Sequence, residues 1–116
     1  MKVVAIVQAR MGSTRLPNKV MKLINGITVI EILLKRLSKS KFIDEIIVAT
    51  SDNKINDILF DHINSNGIIC YRGSENNVLE RFVMAGKKAK AEIAVRITGD
   101  CPLIDPKLVD KTIKYF

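Results

Sequence analysis

Tryptophan is absent from these 116 residues, and the remaining aromatics amount to four phenylalanines and two tyrosines. Proteins that bind nucleic-acid strands by stacking interleave basic with aromatic side chains, so nucleic acid is not an expected partner despite a net charge of +7. Cysteine is scarce: Cys70 and Cys101 lie far apart with no metal-ligand spacing around them, and both are expected to remain thiols. No apolar run approaches the roughly 18–20 residues that span a membrane, so no membrane partner is expected. The opening run Val3–Val7 is too short for a signal-peptide core and lacks a small-residue cleavage site, which predicts a cytoplasmic protein. Hydrophobic residues make up 47% and charged residues 27%, which excludes disorder and collagen-like structure. The length suits one domain over 1–116 with a sizeable core.

Acidic residues are missing before Glu31, whereas Lys2, Arg10, Arg15, Lys19 and Lys22 all fall in that stretch. Three of these cations sit in one loop, which points to a compact anion such as a phosphate chain. Lys87, Lys88 and Lys90 read as solvated surface.

Along the chain, strands alternate with helices. The first strand, Lys2 to Gln8, is a continuous apolar run of the kind buried on both faces. Thr28-Val29-Ile30-Glu31 has capping-box spacing and opens a helix with Ile30, Leu33, Leu34 and Leu37 inward. A second strand, Glu45 to Thr50, precedes a helix from about Asn53 with Ile55, Ile58, Leu59 and Ile63 on one face and a stop at Gly67. A third, Ile68 to Tyr71, precedes a helix from about Asn77 with Val78, Leu79, Phe82, Val83 and Ala89 inward. The fourth strand, Ile93 to Ile97, leads to a helix capped by Asp105 with Pro106 at its first position and Leu108, Val109 and Ile113 inward. Strict alternation with right-handed crossovers predicts a three-layer α/β/α domain on a mainly parallel sheet. In such sheets the loops at the strands' carboxyl ends build the site.

The loop Gln8-Ala9-Arg10-Met11-Gly12-Ser13-Thr14-Arg15-Leu16-Pro17-Asn18-Lys19 is the most informative segment. Gly12 permits close backbone approach to an anion, Ser13 and Thr14 add hydroxyl donors, and the arginines have forked donors that match phosphate oxygens. A Walker A loop would need a second glycine where Asn18 stands, and the dinucleotide fingerprint needs three glycines where only Gly12 is present.

This loop resembles the signature of the cytidylyltransferases that activate acidic sugars. Val48-Ala49-Thr50-Ser51-Asp52, Arg72-Gly73-Ser74-Glu75 with Val78-Leu79-Glu80-Arg81, and Val95 through Leu103 continue the likeness in order. The branch is similar to the acylneuraminate cytidylyltransferases and the spore coat polysaccharide biosynthesis proteins of type F. The resemblance implies a nucleotide-diphospho-sugar transferase (Rossmann-like) fold and transfer of CMP from CTP to a sugar acid, giving a CMP-sugar and pyrophosphate. It implies that Arg10, Gly12, Ser13, Arg15 and Lys19 hold the triphosphate, with Arg15 and Lys19 offsetting charge on the departing pyrophosphate. Gln8 and Ala9 would border the base, and Ser74 and Arg81 match the segment that helps recognise cytosine.

Asp100 ends an apolar strand between Gly99 and Cys101-Pro102, and suits a ligand for Mg²⁺, which prefers a carboxylate together with phosphate oxygens. A turn cap is the alternative role for Asp100. Asp52 reads equally as a cap or a nucleotide contact, His62 as a boundary residue, and Glu75 and Glu80 have no evident chemical role. Relatives in this family are considerably longer, so the chain is expected to hold the nucleotide half and to lack the acceptor half. Activity of the chain alone and its pairing into a homodimer stay open. Two other readings compete: a nucleotide-sugar-dependent glycosyltransferase, and a truncated non-catalytic module that binds nucleotides or anions.

Overall fold

The structure, a computed structural model, describes residues 1–12, 19–99 and 104–115. Strand β1 (Val3–Gln8) is buried along nearly its whole length, as its unbroken apolar run requires. A short turn of 3₁₀ helix (Lys19–Met21) leads into a hairpin of β2 (Leu23–Ile24) and β3 (Ile27–Thr28), then α1 (Val29–Leu37). Next come β4 (Glu45–Ser51), a 3₁₀ turn (Lys54–Asn56), α2 (Asp57–Ser65), β5 (Ile69–Gly73), α3 (Val78–Lys88), β6 (Ile93–Thr98) and α4 (Pro106–Lys114). The main sheet has the order β5-β4-β1-β6 and every pairing in it is parallel.

Alternate residues of each strand serve opposite faces. On one face Ala5, Val7 and Val48 join Ile30, Leu33 and Leu37 of α1 and Leu59 and Ile63 of α2, with Val109 of α4 packed at the margin. On the other, Val4, Ile6, Ile47 and Ala49 meet Ala85 of α3, with Phe82, Ala89 and Tyr71 alongside. The α/β/α layering expected from the alternation is what the chain adopts.

Local chemistry sets the ends. Thr28 Oγ1 accepts the Glu31 amide at 3.2 Å, the first half of the expected capping box. The second half differs: Glu31 Oε1 takes the Thr28 hydroxyl at 3.0 Å and lies 2.8 Å from His62 Nε2, so the carboxylate joins α1 to α2 rather than closing on the backbone. Gly67 has φ +77° and α2 ends in a paired turn, with the Gly67 and Ile68 amides donating to the carbonyls of Asn64 and Ile63. Asp105 caps α4 by accepting the Lys107 amide at 2.9 Å. Asp110 anchors α4 to the loop before β4, accepting from the Ser40 hydroxyl and the Lys41 and Phe42 amides. Burial pushes the Asp110 carboxyl up, but these bonds and the Lys41 charge outweigh it and hold its pKa below the usual value.

Several inward assignments fail. On α2, Leu59 and Ile63 are buried but Ile55 and Ile58 are exposed, because Asn53 caps a 3₁₀ turn and α2 proper begins at Asp57. On α3, Val78, Leu79 and Val83 face outward. Its sheet-facing side carries Arg81, Phe82 and Ala85, and Gly86 lets the helix approach β1: a Cβ added there would stand 3.5 Å from the Ile6 Cδ1 atom. On α4, Leu108 is exposed and no residue is fully buried. The β2–β3 hairpin was not expected; Asn25 (φ +51°) and Gly26 (φ +82°) form its turn.

Candidate functional site

A parallel sheet puts all its strand carboxyl ends along one edge, so Gln8, Ser51, Gly73 and Thr98 end β1, β4, β5 and β6 on the same side. Gln8, the last residue of β1, uses both its ends there. Its carbonyl accepts the Gly99 amide at 2.8 Å, and its side-chain Oε1 accepts Arg81 Nη2 at 3.2 Å. Gly99 must be glycine for this approach, since an added Cβ would lie 2.7 Å from the Ala9 Cβ and 3.0 Å from the Gln8 carbonyl oxygen. Ala9 is buried and its amide donates to the Ala49 carbonyl at 3.1 Å, which ties the start of the loop to β4.

Arg81 is the electrostatic centre. It projects from α3 into the second core face with only 4% of its surface exposed. Nη1 donates to the Ser74 carbonyl at 3.0 Å and Nη2 to Gln8, while Nε has no hydrogen-bond partner among the described residues. No carboxylate among the described residues bonds to this guanidinium. Burial lowers its pKa, the Arg10 charge lowers it further, and Glu75 partly offsets both. A buried cation facing another cation is expensive unless an anion or strong acceptor completes the site.

The loop after β1 is steered by the 3₁₀ turn that precedes α2. Gly12 has φ +74°, and a Cβ there would meet Ile55 Cδ1 at 3.0 Å, so both conformation and space favour glycine. The Met11 amide donates to the side-chain Oδ1 of Asn56 at 2.7 Å, and Asn56 Nδ2 donates to Ser51 Oγ at 2.6 Å. Arg72 fastens the neighbouring segment, donating to the carbonyls of Ser51 and Asn53 and pairing with Asp57 at 2.7 Å. Asn53 Nδ2 in turn donates to Glu75.

Of the residues selected from sequence, Gln8, Ala9, Arg10, Gly12, Ser74 and Arg81 gather along this edge. Lys19 opens the 3₁₀ turn whose Val20 is buried against α1. Ser74 acts locally: its hydroxyl accepts the Asn77 amide at 3.1 Å and its carbonyl takes Arg81. Ser13, Arg15 and Asp100 lie outside the described residues. Asn56 and Arg72 were not selected as site residues. Nothing local marks Asn56, because its partner Met11 comes from a distant part of the chain. Cys70 is buried under α2 and its thiol is pushed up to about 11 by burial, against the pull of Arg72, so it is a packing residue.

A family model described as cytidylyltransferase matches residues 4–116. The chain belongs to the cytidylyltransferase family. It is 42% identical over 113 residues to the spore coat polysaccharide biosynthesis protein SpsF of Bacillus subtilis, covering 94% of this chain and 47% of that protein. A cytidylyltransferase structure from Leptospira borgpetersenii serovar Hardjo-bovis superposes with TM-score 0.94 at 41% identity, covering 100% of this chain and 49% of that one. A CMP:2-keto-3-deoxy-manno-octonic acid synthetase complexed with CTP superposes with TM-score 0.85 at 26% identity, covering 99% and 47%. This cytidylyltransferase chain thus spans about half the length of the curated relatives it matches. Its fold is the nucleotide-diphospho-sugar transferase type of these neighbours. No helix among the described residues is long and apolar enough to cross a membrane.

Proposed function

We propose that residues 1–116 are the nucleotide-binding part of an enzyme that transfers CMP from CTP to a sugar acid in surface polysaccharide biosynthesis. The observation that supports this reading is Arg81, a buried guanidinium at the strand carboxyl ends with no bonded carboxylate and an unused Nε among the described residues. Cytosine offers two acceptors, O2 and N3, on the edge it presents to a protein. Uracil replaces one of them with an N3–H donor, which a site built of arginine donors would reject. Gln8, Ala9 and Ser74, which surround Arg81, border the base. The solved relative complexed with CTP supports this choice of nucleotide.

The triphosphate then lies along the loop after β1, held by Arg10, Gly12, Ser13, Arg15 and Lys19. In the reaction, a hydroxyl oxygen of the sugar acid bonds to the α-phosphorus of CTP, the bond to the bridging oxygen breaks, and pyrophosphate leaves. The hydroxyl proton passes to solvent. Arg15 and Lys19 offset the charge that accumulates on pyrophosphate, which lowers the barrier electrostatically. Among the described residues no group of three or more His, Cys, Asp and Glu side chains could hold a metal ion. Asp100, which lies outside the described residues, would be the one protein carboxylate for a Mg²⁺ ion that arrives with the nucleotide, since Mg²⁺ prefers a carboxylate together with phosphate oxygens. The metal would screen the phosphate charges.

Calorimetric titration with the four nucleoside triphosphates, with and without Mg²⁺, tests this. The expected result is a preference for CTP that depends on Mg²⁺. Equal affinity for pyrophosphate and CTP without a metal effect would mean an anion-binding module, and tighter binding of a UDP-sugar would mean a glycosyltransferase.

A further inference from the structure

We propose that Asn56 is a positioning residue that sets the anion-binding conformation of the loop after β1, and that its neutral amide is required there. The inference rests on the reading of that loop as the triphosphate cradle. Asn56 is 1% exposed, and both ends of its amide are used. Oδ1 takes the Met11 amide at 2.7 Å and Nδ2 gives to Ser51 Oγ at 2.6 Å. The arrangement has one sense only: a flipped amide would set Nδ2 against the Met11 N–H, donor against donor. Ser51 is itself buried at the end of β4 and also receives the Asn53 amide at 3.3 Å. The loop is therefore hung from the end of a central strand through one side chain.

The position of the bond matters. Met11 directly precedes Gly12, whose φ is +74°, and Ser13 and Arg15 follow in the sequence. Ile55, the residue before Asn56, lies where a Cβ on Gly12 would come within 3.0 Å of its Cδ1 atom. One 3₁₀ turn thus fixes both the direction of the Met11 amide and the space above Gly12. An aspartate at position 56 would keep the acceptor for Met11 but lose the donor to Ser51. It would also put a buried negative charge beside a site meant for phosphates. Alanine would remove both bonds and free the turn.

The test uses Asn56→Ala, Asn56→Asp and Ser51→Ala in this chain, with two readouts. The first is amide exchange at Met11 without ligand, compared with β1 amides. The second is affinity for CTP, pyrophosphate and CMP. In Asn56→Ala, Met11 protection is expected to fall and CTP and pyrophosphate to bind about tenfold more weakly, roughly the worth of one buried hydrogen bond. CMP, which lacks the two outer phosphates, should change less than about twofold on the same scale. Asn56→Asp should retain Met11 protection yet still weaken pyrophosphate. Ser51→Ala should reproduce a milder form of the alanine phenotype.

Unchanged Met11 exchange in Asn56→Ala would overturn the proposal, as would equal losses for CMP and pyrophosphate. If Asn56→Ala fails to fold, the split between retained exchange protection and lost pyrophosphate affinity in Asn56→Asp decides. Should the unaltered chain bind pyrophosphate without preferring CTP, the nucleotide reading fails while exchange and pyrophosphate still decide the role of Asn56.

Discussion

The two faces of the sheet are built differently. Beneath α1 and α2 lie large aliphatic side chains with no exposed surface, among them Ile30, Leu33, Leu37, Leu59 and Ile63. Beneath α3 the buried helical residues are Arg81 and Ala85. The first face maximises apolar area removed from water. The second gives up such area so that a cation can reach the strand ends from below. Stability and recognition are thereby assigned to opposite sides of one sheet, and substitutions on the two sides should separate them.

Leu33→Ala should give the largest effect on stability, about 3 kcal/mol in denaturant unfolding, because it opens a cavity among residues with no room to collapse. Affinity of the folded fraction for CTP should stay within about twofold of the unaltered chain. Arg81→Met should do the reverse. Replacing a buried charge that bonds no carboxylate among the described residues with an apolar side chain of similar length should leave the melting temperature unchanged or raised. CTP affinity should fall about thirtyfold, the equivalent of about 2 kcal/mol of charge-assisted hydrogen bonding. Parallel losses of stability and affinity in both variants would erase the distinction between the faces.

The smallest expected effect concerns α4, which covers the margin of the first face. Asp110 has a folded pKa below its unfolded one, so its stabilisation is complete above the unfolded value near 3.9 and is lost as pH falls through the lower folded value. Acid titration monitored by amide exchange in α4 should show loosening below about pH 4. Asp110→Asn should flatten that dependence, leaving α4 equally loose across the range.

Much of this organisation was legible in the sequence, for reasons that vary with the element. β1 and α1 could be read because hydrophobic periodicity and caps act over a few residues, and the structure starts α3 just after Asn77 and keeps Asp105 as the cap of α4. The faces of α3 could not. Of the five apolar residues expected inward, Phe82 and Ala89 pack against the sheet, but Val78, Leu79 and Val83 are exposed, because the buried helical positions are Arg81 and Ala85. Gln8, Ser74 and Arg81 were selected through resemblance, and the structure adds that they touch one another. The burial of Arg81 against Gln8 could not be anticipated, since it depends on β1 meeting α3 across a long stretch of sequence. Asn56 was invisible for the same reason.

The strand order has a consequence for how the chain is made. β1 precedes β4 and β6 in the chain, yet it lies in the middle of the described sheet, flanked by both. It can gain its first neighbour only when β4 has been made and its second only when β6, ending at Thr98, has followed. Closing such distant parallel contacts is slow, and the interval leaves a sticky segment open to wrong partners. Chaperone demand during translation should therefore be concentrated on the amino-terminal strand.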